Sequence, residues 1–598
     1  MKYEPFTAMR ISLLIPMSSA STSANRTGSW SDMRPRYQEK TAPCSVRCPC
    51  GQDIPRIEML TSRGRYEAAW RTILAENPLP GTCGRVCFHP CEEACNRGEF
   101  DEAVSINALE RFLDDRARAE SVQESTTVAP SKGRRVAIAG SGPAGLSAAY
   151  FLARLGYECE IFEADRAPGG ILRGGIPSYR LPNAVLDREI RRIEGLGVAV
   201  HCSTAIDPDF IATAKRRFDA VFLGCGHGRS LGLGVPGEEL AIDGLDFLRG
   251  SKNEDKKMAG SADQVRAALV IGGGNGAIDV SRSLLRAGIA PIIVYRRRRE
   301  DMPAFGREVA RAVEEGARIV ELRAPLSIAR KGNGIELNVQ KMRPEGIGAD
   351  GRMRVSPLVG QTELIAADAI YSAIGAYPAE PWILPPENPE VLRLSHSAAL
   401  WESPAGIPLL YGGDPINEDE SVADAIASGK QAAIALDVFF SKGLASVEAE
   451  IARCGLGDGT SLSMETYLGG ERGERAKKVV RFEDINADYF SLSEQRRGAS
   501  VPSADSIRSF AEIESCLNET VAIEQAERCF NCGICNDCDN CRTYCPEAAV
   551  VAARAAKAGD WQTEAGVDRE VNADYCKGCG VCVTECPRCA MSIEEQQP

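Results

Sequence analysis

Arg134-Arg-Val-Ala-Ile-Ala-Gly140-Ser-Gly142-Pro-Ala-Gly145-Leu-Ser-Ala-Ala-Tyr150 is a short apolar strand, a G-x-G-x-x-G turn and the start of an apolar helix. The glycines allow a tight turn, close approach of a pyrophosphate and close helix–strand packing. Phosphates then meet unpaired N–H groups at a positive helix N-terminus. A second strand, Glu158-Cys-Glu-Ile-Phe162, runs into Glu163. An acid about 20 residues past the turn stands where a ribose hydroxyl acceptor belongs. Gly140, Gly142, Gly145 and Glu163 are therefore expected to bind a dinucleotide.

A second fingerprint lies downstream. Ala268-Leu-Val-Ile-Gly272-Gly-Gly274-Asn-Gly276-Ala277 repeats the strand, turn and helix as G-x-G-x-x-A. Gly272, Gly274 and Ala277 are its expected contacts. The next strand, Pro291-Ile-Ile-Val-Tyr295, ends in Arg296-Arg-Arg-Arg299 with no acid before Glu300. A ribose 2′-hydroxyl wants an acid there, whereas a 2′-phosphate wants arginine. Arg296 and Arg297 therefore favour NADPH over NADH. Four arginines on a solvated loop are the plainer alternative.

The chain has 598 residues, enough for about four domains at roughly 150 residues each. No apolar run approaches the ~20 residues a membrane span needs. A net charge of −13 argues against nucleic acid as the main partner. The 23 cysteines cluster in Cys44–Cys95 and Cys529–Cys589. A long chain with clustered cysteines points to metal or cluster ligation in a reducing, cytoplasmic compartment. No catalytic triad motif is visible, and hydride transfer needs none, because cofactors carry the reactive atoms.

Cys576-Lys-Gly-Cys579-Gly-Val-Cys582-Val-Thr-Glu-Cys586-Pro587 is C-x2-C-x2-C-x3-C-P, and Cys535, Cys538, Cys541 and Cys545-Pro546 repeat the spacing. In such runs the fourth cysteine ligates the other cube. Crossed sets follow: Cys535, Cys538, Cys541 with Cys586, and Cys576, Cys579, Cys582 with Cys545. The first run has two alternative registers: Cys529-Phe-Asn-Cys532-Gly-Ile-Cys535 is also C-x2-C-x2-C and carries a Gly after its second cysteine, and Cys529 and Cys532 with Cys541 also work; Cys545 is a ligand in all three readings. The N-terminal block, Ala42-Pro-Cys44-Ser-Val-Arg-Cys48-Pro49 and Gly81-Thr-Cys83-Gly-Arg-Val-Cys87-Phe-His-Pro-Cys91-Glu-Glu-Ala-Cys95, has soft ligands but no C-x2-C pair. By residue type it suits an Fe–S cluster or zinc.

The strings APCxxxCP, DIPRI, ENPLPGTCGRVC, PCEEAC and VSINALERF in residues 42–114 resemble the glutamate synthase small-subunit family, which includes dihydropyrimidine dehydrogenase. The resemblance spans roughly residues 42–440. It implies a [4Fe–4S] cluster on Cys48, Cys87, Cys91 and Glu110. It implies a second on Cys44 and Cys95 with an upstream C-x2-C, and residues 25–43 hold no cysteine. Either Cys50 or Cys83 substitutes there, or the site is lost. Pro168-Gly-Gly170…Arg180-Leu-Pro182 resembles the segment that lies against FAD, naming Gly170 and Arg180. Leu409-Leu-Tyr-Gly-Gly413-Asp414 and the helix from Val422 resemble the second FAD half of this class. The appended cysteine runs resemble the iron–sulfur flavoproteins accompanying reverse dissimilatory sulfite reductase, 2-oxoacid:ferredoxin oxidoreductases or benzoyl-CoA reductases.

The expected fold class is α/β: two nested Rossmann-like domains, an N-terminal α-helical Fe–S domain and a C-terminal α+β ferredoxin-like domain. The expected limits are a disordered tail over 1–40, a helical Fe–S domain over 41–130, a split FAD domain over 131–250 and 376–445, an inserted NAD(P)H domain over 251–375, a polar linker over 446–515 and a ferredoxin domain over 516–598. Within the tail, Ile11 to Met17 is too short an apolar run to read as a signal peptide. The expected cofactors are FAD, NADPH or NADH, and three [4Fe–4S] clusters, with a fourth if the second N-terminal site is completed. The expected activity is electron transfer between NAD(P)H, FAD, the clusters and a ferredoxin or partner redox enzyme. The alternative is a non-autonomous subunit of a larger complex; an oligomer is compatible with either.

Overall fold

The computed structural model describes all residues except 1–27, 29–30, 123–127, 253–264, 349–350, 395–397, 405, 418, 553–568 and 596–598. The reading of Ile11 to Met17, and most of the expected tail, lies outside the described residues. The chain divides into two compact units. The larger is Pro43–Gly473 with Ser493–Cys529; the smaller is Met1–Ala42, Glu474–Leu492 and Phe530–Pro598.

In the larger unit the strand Arg135–Ala139 is central to a seven-stranded sheet. Its order is Leu392–Leu394, Ala398–Glu402, Pro408–Gly412, Ala220–Leu223, Arg135–Ala139, Glu158–Phe162, Ala199–His201. The three strands after residue 390 thus join four strands from before residue 225. Between them in sequence, a five-stranded parallel sheet runs Arg318–Val320, Ala290–Val294, Ala267–Ile271, Ala369–Ser372, Ile242–Asp243. The central strands are buried along their length, as parallel strands covered by helices on both faces must be. Helix Val422–Lys442 packs against helix Pro143–Arg154, and a Cβ on Gly429 would lie 2.3 Å from the Ala144 carbonyl oxygen, so only glycine permits that approach.

The sequence limits need correction in three places. Ile242–Asp243 pairs with Tyr371 and Ser372, so the inserted sheet begins before residue 251. The span 446–515 is no simple linker: it carries helix Val447–Cys454, and it buries Ser463 and Arg472. Residues 516–529 belong to the larger unit, where helix Glu519–Glu527 packs on helix Ile54–Ser62.

The smaller unit brings chain ends together. Met33–Tyr37 pairs antiparallel with Met591–Glu595, and Lys40–Thr41 pairs parallel with Ala476–Val479. Residues 33–37 and 40–41 therefore form strands, against the expectation of a tail reaching residue 40. A short antiparallel pair, Val550–Ala552 with Arg569–Val571, completes its sheet structure.

Candidate functional site

The turn after Arg135–Ala139 has the geometry its glycines predict. Gly140 has φ +91°, and a Cβ on Gly145 would sit 1.9 Å from the Gly140 oxygen. A Cβ on Gly142, which precedes helix Pro143–Arg154, would meet nothing within 4 Å. The space above the helix N-terminus is thus open, as a pyrophosphate requires. Glu163 is buried at the end of its strand. Its Oε2 accepts from the Ser141 N–H at 2.9 Å and the Ser141 hydroxyl; Oε1 accepts from the Asp165 N–H at 2.8 Å. A carboxylate has further lone pairs, so acceptor capacity remains for a ribose hydroxyl. Gly169 donates to the Ser141 hydroxyl at 2.9 Å, and a Cβ on Gly170 would lie 2.9 Å from the Gly142 Cα, which seats this loop on the turn.

On the other half, Gly413 has φ +79° and donates to the Ser428 hydroxyl at 2.8 Å. Asp414 follows it, and burial pushes its carboxyl up to about 6. Val422 opens helix Val422–Lys442, capped by Ser421 accepting from the Asp424 N–H at 3.0 Å. The sequence reading overlooked His227. It follows the Leu223–Gly226 turn, sits 3.2 Å from Glu420, and feels the charge of Asp414. The hydrogen bond to Glu420 raises its pKa. The only sequence signal was its place just past a strand-end glycine turn.

The second fingerprint behaves like the first. Gly272 has φ +146° with a virtual Cβ 2.2 Å from the Ala373 oxygen, Gly274 faces open space, and Ala277 is fully buried on helix Asn275–Arg286. Arg298 is committed to Asp301 by two hydrogen bonds of 2.8 and 3.0 Å. Arg296 is exposed at the strand end and has no ion pair among the described residues; Arg297 is half-buried beside it.

Arg180, expected against a cofactor, is held by carboxylates of the inserted segment's helices. Its Nη1 donates to both carboxylate oxygens of Asp279, at 3.0 and 2.8 Å, and Nε lies 3.7 Å from Glu308. Glu308 also pairs with Arg282, and Arg282 and Arg286 clamp Glu315 at 2.7–3.0 Å. The Tyr179 ring lies under Arg286, with the guanidinium carbon 3.8 Å from its centroid. A buried charged network thus ties the 168–182 segment to the inserted sheet's helices. The desolvation of each charge is offset only because every one has partners.

In the N-terminal block, helix Pro80–Val86, helix Ile106–Ala119 and the turn Pro90–Glu93 bring four sequence-predicted groups together. Cys48, Cys87, Cys91 and Glu110 are mutually within electrostatic reach. Glu110 Oε1 accepts from Gln52 at 2.8 Å and Asn77 at 2.9 Å, and burial raises its carboxyl to about 8. Both amides take the same oxygen, which leaves the second for a metal. The thiols of Cys50 and Cys83 hydrogen-bond in a row with Cys48, so both lie on this side. Lys430 of the helix from Val422 is fully buried against Glu76 at 2.6 Å and the Cys50 carbonyl at 2.5 Å, fixing this block to the sheet's helices.

In the smaller unit, one small cavity is lined by Cys535, Cys538, Cys541 and Cys586, and another by Cys545, Cys576, Cys579 and Cys582. These are the crossed sets; Cys529 and Cys532 line neither cavity. The two runs superpose at one constant offset in backbone conformation. Asp537, Asp539 and Ala548 have φ of 61°, 61° and 50°, where Gly578, Gly580 and Cys589 have 65°, 77° and 59°. Cys545 Sγ accepts from the Ala549 N–H and Cys586 Sγ from the Ala590 N–H, each at 3.3 Å. Among the described residues no group of three or more His, Cys, Asp or Glu closes on a single metal ion.

Residues 34–122 match the family of dihydropyrimidine dehydrogenase domain II, 4Fe-4S cluster, and residues 134–391 match pyridine nucleotide-disulphide oxidoreductases. The β subunit of the NADP(+)-dependent formate dehydrogenase of Moorella thermoacetica is 33% identical over 528 residues, covering 82% of this chain and 70% of that one. The glutamate synthase [NADPH] small chain of Escherichia coli (strain K12) is 31% identical over 421 residues, 65% of this chain and 87% of its own length. The NADPH-Fe(3+) oxidoreductase subunit beta of Geobacter sulfurreducens is 38% identical over 356 residues, and this chain spans about half of it, 52%. With two glycine turns, an arginine-ended strand and these cysteine sets in place, the chain belongs to the glutamate synthase small-chain family of FAD- and Fe–S-dependent NAD(P)H oxidoreductases.

Proposed function

We propose that this chain is the NADPH-facing electron-transfer subunit of a larger redox complex, exchanging electrons between NADPH and a partner enzyme or ferredoxin. The observation that carries the reading is the pair of open glycine turns, one in each of two nested sheets, in a chain that also holds three cysteine-rich ligand sets. The first turn with Glu163, Asp414 and the Val422 helix start holds FAD between the two halves of the seven-stranded sheet. The second turn holds the nicotinamide dinucleotide, with Arg296 and Arg297 on the 2′-phosphate. Cys48, Cys87, Cys91 and Glu110 hold one [4Fe–4S] cluster, and the crossed sets in the ferredoxin-like smaller unit hold two more. Bound FAD supplies the exchange between hydride and single electrons, which the clusters carry. The protein's part is alignment and exclusion of water: the Arg180–Asp279 network fixes the nicotinamide-side helices against the 168–182 segment.

The relatives are named as subunits or small chains, which favours the subunit reading over a free-standing enzyme. Affinity purification of the natively expressed chain tests it. A stoichiometric redox enzyme that accepts NADPH electrons only with this chain present supports the reading. A chain that purifies alone and reduces free ferredoxin at full rate contradicts the subunit reading and favours the autonomous one.

A further inference from the structure

His227 is a titratable group that hydride transfer does not call on, and its place in the larger unit gives it a use. The strand Ala220–Leu223 lies between Pro408–Gly412 and Arg135–Ala139, and all three run parallel. The loops at their carboxyl ends therefore leave the sheet side by side, at the edge where such sheets take ligands. Arg135–Ala139 leads into the first glycine turn, Pro408–Gly412 into the loop with Asp414, and Ala220–Leu223 into the loop with His227. This last loop touches the first turn: a Cβ on Gly140 would lie 2.6 Å from the Gly224 oxygen and 3.2 Å from the Cys225 Cα. It reaches the Asp414 loop through His227, whose Nε2 lies 3.2 Å from Glu420 Oε1.

A carboxylate only accepts, so Nε2 carries a proton in this pair. The other ring nitrogen, Nδ1, is buried and has no hydrogen-bond partner among the described residues. The His227 side chain is 13% exposed against 59% for Glu420, so the acid stands at the solvent end of the pair. Asn417, between Asp414 and Glu420, adds an independent sign: its Nδ2 and Oδ1 are both buried without a partner among the described residues. Buried polar atoms in that state mark a place where a polar group belongs. Glu420 and Asp414 are the charged groups that bear on the ring. The hydrogen bond to Glu420 outweighs burial, and with both acid charges it lifts the ring's pKa above its ordinary 6.5. Asp424 acts on Asp414, and Glu163 on Cys225, each at one remove from the ring. An imidazolium held by Glu420 through Nε2 has one donor left, Nδ1–H.

We propose that His227 is a FAD-binding residue, anchored by Glu420 through Nε2 and donating from Nδ1–H to an oxygen of FAD. This rests on the reading of the first glycine turn and the Asp414 loop as the FAD site. His227 thereby ties the early and late strands of the split sheet around one cofactor. The imidazolium form offers a donor that the neutral form, with its proton on Nε2, does not. FAD affinity is therefore full below the pKa of His227 and falls as pH rises through it.

The test is the dissociation constant for FAD of the full, iron-replete chain, read from the fluorescence of free FAD on dilution between about pH 5.5 and 9. The ratio of variant to parent is taken at each pH, because Asp414, raised to about 6, is present in every chain. At the acid end His227→Ala is expected to bind FAD about ten- to a hundredfold more weakly than the parent, since a hydrogen bond from a charged donor is lost. The gap is expected to narrow toward the alkaline end. His227→Gln keeps a neutral donor and is expected to fall between the two, without the parent's pH step. Glu420→Gln keeps a hydrogen-bonding partner but no charge, and is expected to move the step to lower pH. Variants that match the parent at every pH overturn the proposal. A loss of one size at every pH also overturns it, because it would give His227 a part in loop structure alone. A step that stays in place in Glu420→Gln overturns the anchoring by Glu420. Should His227→Ala fail to retain iron, the pH profile of His227→Gln decides. A parent chain that binds no FAD would overturn the FAD site itself, and this proposal with it.

Discussion

Arg180 Nη1 lies 2.8 Å from Asp279 Oδ2, a buried ion pair between the segment after the first glycine turn and the helix that starts at the second. Removing one partner strands a buried charge, at a cost of about 3–5 kcal/mol. Arg180→Leu is therefore expected to lower the midpoint of chemical denaturation strongly. Arg180→Leu with Asp279→Leu together is expected to recover most of that loss. A single variant as stable as the parent would show that the pair does not hold these segments together.

The arginines at the strand end govern nucleotide choice. Replacing Arg296 and Arg297 with serine removes charge-assisted bonds worth about 1.5–3 kcal/mol each. The dissociation constant for NADPH is expected to rise at least about tenfold, with NADH binding little changed. Titration calorimetry with both nucleotides reads this directly, and equal losses would give the arginines a structural role.

Gly274 separates folding from binding. A Cβ there meets nothing of the protein within 4 Å, so Gly274→Ala is expected to fold and retain FAD. The methyl would occupy space that a pyrophosphate needs, and NADPH affinity is expected to fall at least about tenfold. Gly145→Ala is expected to behave differently, since its Cβ would lie 1.9 Å from the Gly140 oxygen, and to lose FAD or fail to fold. Unchanged NADPH affinity in Gly274→Ala would remove this turn from the nucleotide site.

Glu315 contributes acid sensitivity. Burial pushes its carboxyl up, but the hydrogen bonds and charges of Arg282 and Arg286 outweigh burial and hold it at about 2, below its ordinary 4.5. A carboxyl depressed in the folded state stabilises fully above its unfolded value and loses that contribution as pH falls through the folded value. Stability attributable to Glu315, about 2–3 kcal/mol, is thus present above pH 4.5 and lost on acidification toward pH 2. Denaturation of the parent and of Glu315→Gln across that window is expected to give converging stabilities as pH falls. Parallel curves would assign the acid dependence elsewhere.

The backbone of both glycine turns was legible because it is local: each fits within one strand, one turn and one helix. The nesting was legible because the Gly413 region marks where the first sheet resumes. Arg180 was not, since its partner Asp279 is distant in sequence and no local pattern names an ion pair. The sequence left three readings open for the first C-terminal run. A Gly after Cys532 resembles the Gly after Cys579, yet the corresponding left-handed positions around Cys538 are taken by Asp537 and Asp539, residues that tolerate that conformation. The strand Met33–Tyr37 was hidden because its partner, Met591–Glu595, lies at the far end of the chain. The span 446–515 looked like a linker from its polarity, but Ser463 and Arg472 both bond Glu76 in the buried interior.

The central claim is that electrons from NADPH enter this chain at FAD and pass on to its clusters. Anaerobic titration of the FAD- and iron-replete chain with NADPH, followed by visible absorption and electron paramagnetic resonance, tests it most directly. The account predicts bleaching of the flavin with the appearance of reduced-cluster signals in the same titration. NADPH that binds while the flavin stays oxidised, or a flavin that is reduced while dithionite-reducible clusters above the NADPH potential stay silent, would contradict it.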